Sequence, residues 1–182
     1  VYKQVGFGAE VAGIPLPVAY SQQDIIYNLP LNYGDADTSE SAWNIGLPGV
    51  GYYGFAQIRI NEVDGWGTLI TPHGTFSVLR VKTELYARDT IAVDSLSFNF
   101  SLDRPKTTEY KWLAANEIVP VLQITTTELL GFEVVTEIFY RDDYNTVQPD
   151  SLNAAYCAGS TVTLPYVTTG SYNSPAFLQT AN

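Results

Sequence analysis

The sequence predicts an all-β fold. A curved antiparallel sheet, half-barrel or sandwich-like, is expected over residues 1–144, a linker over 145–156 and the start of a truncated β-sandwich segment over 157–182. Three observations carry this prediction. Threonine, valine, isoleucine, tyrosine and phenylalanine, which suit a pleated half-buried surface, are plentiful. Apolar positions alternate instead of recurring every three or four residues. The connections between alternating runs are short, and a parallel crossover would need a dozen or more residues.

Taken in order, residues 1–50 are the least regular. "GIPLPVAY" and "NLPLNYG" hold prolines inside apolar runs, which suits edge strands or extended coil. "GDADTSES" at 34–41 reads as a polar loop and "GLPGVG" at 46–51 as a turn cluster. From Tyr52 the pattern tightens. Ala56, Ile58 and Ile60 fall on one face of a strand and Gln57, Arg59 and Asn61 on the other, the apolar set being expected inside. "GTLIT" and "TFSVLRVKTELYA" are two strands joined by "PHG". In the second, Leu79, Val81 and Leu85 share a face while Arg80, Lys82 and Glu84 point away. "SLSFNFSL" alternates Leu96, Phe98, Phe100 and Leu102, and "TEYKWLA", "VPVLQITTTELL" and "FEVVTEIFY" follow, separated by "AANE" and Gly131. Residues 52–140 thus read as an antiparallel meander. "RDDYNTVQPDSLNAA" has no period and reads as a linker. Beyond it, "YCAGSTVTLPYVTTGSYNS" alternates again, with Val162, Leu164 and Tyr166 in step, but is too short to bury a core of its own.

Composition narrows the function. Nine Lys and Arg against nineteen Asp and Glu give a formal charge of −10. Such a surface repels phosphate backbones, so nucleic acid is not an expected partner. No apolar run approaches the roughly 20 residues of a spanning helix, and a membrane-spanning role is not expected. The chain has no methionine, which suggests a mature or excised segment. Cys157 is its only cysteine, so no disulfide framework or cysteine metal cage forms within one chain.

At "VDGWGTLITPHGTFSVLRVKTE", followed by "EYKWLAANEIVPVLQI", the chain resembles repeating domains of large secreted and cell-surface proteins of Bacteroidota exported by type IX secretion. The run is more distantly similar to curved antiparallel half-barrels of the lipoprotein-carrier type, in which a sheet curls around an apolar groove. The tail, from Cys157, resembles the opening of β-sandwich modules. The resemblance implies a non-enzymatic structural or adhesive module of a secreted, multidomain surface protein, with neighbouring domains or other surface proteins as partners. It supplies no catalytic residues.

Several residues invite chemistry, and each also has a plainer role. His73, the single histidine, sits between Pro72 and Gly74 at a turn tip, a position that rarely gives a general base an orienting partner and a substrate pocket. Trp66, between Gly65 and Gly67, suits sugar or cation stacking but reads first as a cap on the core beside a bulge. Asp35, Asp37, Ser39 and Glu40 begin like a calcium loop. Glu40 and Gly46 then occupy the positions where an EF-hand needs glycine and glutamate, which leaves only an irregular calcium loop open. "RDDYN" at 141–145 has the same ambiguity. Glu109, Glu117, Glu128 and Glu137 are candidates for a carboxylate-based hydrolase, for which their separation is the test. Cys157 lacks a basic neighbour, and "VGFGAE" at 5–10 lacks the third glycine of a dinucleotide loop. No catalytic, cofactor or metal residue is therefore assigned. The alternative to a structural role is a module binding lipid in a groove, or glycan on an aromatic face such as Tyr52, Tyr53 and Phe55.

Overall fold

The computed structural model describes residues 1–11, 14–47, 51–93, 98–141, 147–149 and 166–168. It is all-β: a curved, open antiparallel sheet of nine strands. The strands are β1 (Tyr2–Val11), β2 (Ile14–Tyr27), β3 (Ala36–Leu47), β4 (Gly51–Thr71), β5 (Gly74–Val93), β6 (Phe98–Asp103), β7 (Thr107–Ala114), β8 (Leu122–Leu129) and β9 (Phe132–Tyr140). Two short strands, β10 (Val147–Pro149) and β11 (Tyr166–Thr168), pair with each other, so a segment inside the expected linker meets one inside the expected tail module. The other residues expected to form the linker and tail module lie outside the described residues. Among the described residues no helix is long and apolar enough to cross a membrane.

The spine is the β4–β5 hairpin, closed by Pro72 and His73 between the partners Thr71 and Gly74. Its length lets several strands share it. β3 pairs the first half of β4, β7 pairs the first half of β5, and β6 pairs the second half of β5. The stretch around Trp66 therefore projects past β3, and the tip around Ile70 past β7 as well. A bulge at Asp64 divides the hairpin, as the glycines flanking Trp66 suggest. At the far side, Leu130 and Gly131 both take positive φ (53° and 83°), the requirement of the tight turn that joins β8 to β9.

Two expectations for the first 60 residues are corrected. "GDADTSES" is not a loop, because β3 runs through it from Ala36. In β4 the faces are the reverse of those expected. Ile58 and Ile60 remain 42% and 38% exposed, while Arg59 and Asn61 on the opposite face are 7% and 3% exposed. One feature explains both. β2 pairs β3 only near Tyr20 and Gln22, and its last residues then cross the inner face of the sheet. β1 still flanks β2 there through Tyr2 and Lys3, but β3 no longer pairs with it, and side chains of the sheet reach the carbonyls of Ile25 and Ile26 instead. Ser39 Oγ donates to Ile25 at 3.0 Å and Asn61 Nδ2 to Ile26 at 3.0 Å. Buried backbone groups need such partners, so the inward positions beneath the crossing, Ser39 and Asn61, are polar.

The apolar core is correspondingly small. Tyr27, Val63 and Val81 form its centre, with Ile26, Leu31, Leu79 and Leu113 packed around them. Leu79 and Val81 point inward, as their alternation predicts.

Candidate functional site

The core opens toward the projecting half of the hairpin. Beyond Val63 and Val81 the bulge keeps Trp66 on the face of Leu79, its register partner. Leu113 pairs Leu79 from the other side. The chain leaving β2 places Leu29 and Leu31 opposite, and Tyr2 stacks on Tyr27 with ring centroids 6.0 Å apart. Between these groups lies a cleft of about 660 Å3, lined mainly by Tyr27, Leu29, Leu31, Trp66, Leu79, Leu113 and Ile118. Trp66 is 74% exposed and Ile118 fully so. Trp66 therefore does not cap the core as expected. It forms the lip of the cleft, because the hairpin carries it past the edge of β3.

The cleft's inner end borders a buried polar cluster. Arg59 donates to Asp24 through Nε at 2.9 Å and Nη2 at 2.7 Å. Lys111 Nζ lies 2.6 Å from Glu109, whose other neighbour is the Arg59 guanidinium at 3.8 Å. Thr83 Oγ1 donates to Asn61 Oδ1 at 2.8 Å, and Asn61 Nδ2 also reaches Asp37 at 3.0 Å. Burial, with the negative charge of Glu109 adding to it, pushes the Tyr27 phenol up to about 12. Tyr27 is thus neutral over any ordinary pH, and it separates the apolar cleft from the ions behind it.

The remaining candidate residues are dispersed. His73 is not simply exposed at its turn, since its ring stacks on Phe76 at 5.8 Å. Asp35 closes the loop before β3 by accepting from Asn32 N at 2.7 Å. Asp37 faces Asn61, while Glu40 pairs in register with the outer-face Ile58. The three carboxylates do not converge, and no group of three His, Cys, Asp or Glu able to hold a metal occurs among the described residues. Of the four glutamates, Glu109 is held by Lys111, Glu117 pairs with Arg141, Glu128 lies 4.0 Å from Lys106, and Glu137 projects from the exposed strand β9. Cys157 and residues 142–145 lie outside the described residues.

Tyr52, Tyr53 and Phe55 do not make one aromatic platform, because strand alternation puts Tyr52 on the outer face. Tyr53 and Phe55 instead pack on the inner-face Trp43, at 5.4 and 5.5 Å, with Phe7 against its edge at 5.0 Å. Arg104 covers Phe55 and donates to Asp89, holding that carboxyl below its usual range. Sequence reasoning did not reach Leu29, Leu31 and Ile118 as functional residues. Leu29 and Leu31 flank Pro30 after β2 and Ile118 lies between β7 and β8, so only the folded chain brings them together.

Comparison of the chain with known protein families, with curated proteins and with solved structures gave no match.

Proposed function

We propose that the protein is a non-enzymatic binding module that holds an apolar, chain-like ligand of the lipid class in the cleft beneath Trp66. The observation that carries this reading is the cleft itself. Its volume of about 660 Å3 falls in the range of small-molecule sites. Its lining is mostly aliphatic and aromatic, with Ser77 and Glu117 as polar members, and Trp66, Leu29 and Ile118 expose large apolar surfaces at its lip. Covering such surface is favourable by about 25 cal/mol per Å2. Native mass spectrometry of the chain after incubation with palmitate and with a phosphatidylglycerol tests the reading. A one-to-one adduct that survives gentle desolvation supports it; ligand-free protein at every concentration contradicts it.

A second reading follows from the resemblance: a structural or adhesive module of a secreted, multidomain bacterial surface protein. It is favoured by β9, the edge strand, all nine residues of which are exposed, including Phe132, Ile138 and Phe139. An apolar open edge is a template for a neighbouring strand. Protease shaving of intact source cells tests it. Release of fragments of this chain supports a surface location, and full protection until lysis contradicts it.

A further inference from the structure

The outer face of the sheet carries a second depression, separate from the apolar cleft. Cross-strand register sets Gln22, Ala42, Ala56, Arg88 and Asp103 side by side over five strands. The two alanines lower the surface in mid-row, and a groove of about 570 Å3 runs over them. Ile58 and its register partner Tyr86 form one wall, both more than a third exposed. Farther along β4, outside the groove's lining, the Tyr52 ring lies across Gly54, so close that a Cβ there would come within 2.7 Å of the phenol oxygen. Arg88 closes one end, with Nε and Nη2 donating to the Asp103 carboxylate at 2.6 and 2.9 Å.

We propose that this groove binds a neutral oligosaccharide. A sugar ring presents apolar C–H faces and a rim of hydroxyls. The Tyr86 ring, with Ile58 beside it, along a flat alanine floor matches such a face. The Arg88–Asp103 pair, held in one plane by two hydrogen bonds, sets donors beside acceptors for neighbouring hydroxyls. Two strands of alanine floor give a width of about 10 Å, which suits a chain of pyranose rings. An acyl chain would have to lie against the charges of Glu40, Arg88 and Asp103. A sulfated or uronic-acid polymer meets two guanidiniums, Arg88 and Arg104, already paired with Asp103 and Asp89, on a chain of net charge −10.

Titration of the full chain followed by NMR tests this, with cellotetraose, chitotetraose and maltotetraose as neutral probes and a heparin tetrasaccharide as the anionic one. Saturable shifts at Ala42, Ala56 and Tyr86 with at least one neutral probe are expected. Ala56→Leu fills the floor from an exposed position and should weaken binding about tenfold or more. Tyr86→Ala should weaken it while leaving the rest of the spectrum in place. Palmitate binding should be unchanged in both variants, which keeps this groove's test independent of the cleft's. No saturable shift with any neutral probe, tighter binding of heparin, or full affinity in Ala56→Leu would each overturn the proposal.

Discussion

Arg59 on β4 and Asp24 on β2 form a two-bond ion pair beneath the crossing strand, with both side chains less than a tenth exposed. It fastens β2 to the sheet at the point where β2 no longer pairs with β3. Burial alone would depress the Arg59 guanidinium, yet the hydrogen bonds and charge of Asp24 hold it above its ordinary value. The guanidinium therefore stays charged despite its burial, and the pair depends on both partners being present.

Removing one partner strands a buried charge. Asp24→Ala is expected to cost about 3–5 kcal/mol in urea denaturation. The double variant Asp24→Leu with Arg59→Met replaces the pair by apolar groups of similar length and should be more stable than Asp24→Ala alone. Equal losses in the two proteins would show that the pair is not coupled.

Tyr27 sets an alkaline limit. Its folded pKa, about 12, lies above the ordinary value of 10.0. The folded state therefore holds the proton more tightly than the unfolded state. The associated stability is fully present below about pH 10 and is lost as pH rises through about 12. The loss amounts to about 3 kcal/mol at most. Tyr27→Phe should flatten the decline measured by denaturant titration between those two pH values. An unchanged decline would mean that the phenol is not the titrating group.

Gly54 and Tyr52 give a sign reversal. A methyl at position 54 collides with the Tyr52 ring, at 2.7–3.0 Å from its outer atoms. Gly54→Ala should destabilise by about 1 kcal/mol as the ring is displaced. In a Tyr52→Ala background the same change should stabilise, since alanine restricts the unfolded chain more than glycine does. Destabilisation in both backgrounds would place the constraint in the backbone.

The regular half of the molecule was legible because local pattern and tertiary role agree there. Leu79, Val81 and Leu85 alternate and share a face, and Pro72 and His73 sit where a two-residue turn is needed. β3 was not legible, because Asp37 and Ser39 read as loop residues until the crossing of β2 is known. Likewise, Ile58 and Ile60 lie outside because Arg59 turns inward to the Asp24 carboxylate and Asn61 to the Ile26 carbonyl of the crossing strand, which alternation alone cannot reveal. Of the cleft, Trp66 was visible as a tryptophan between two glycines, but its exposure depends on how far the hairpin outruns β3.

Trp66 fluorescence during titration with palmitate reports directly on occupancy of the cleft. Trp66 is 74% exposed, whereas Trp43 and Trp112 are only partly exposed. Binding in the cleft should give a saturable blue shift of the emission. Trp66→Ala should abolish the shift and weaken binding about tenfold, measured by calorimetry, with thermal stability unchanged. Emission that does not move at saturating palmitate, or full affinity in Trp66→Ala, would contradict the assignment of the cleft as the binding site.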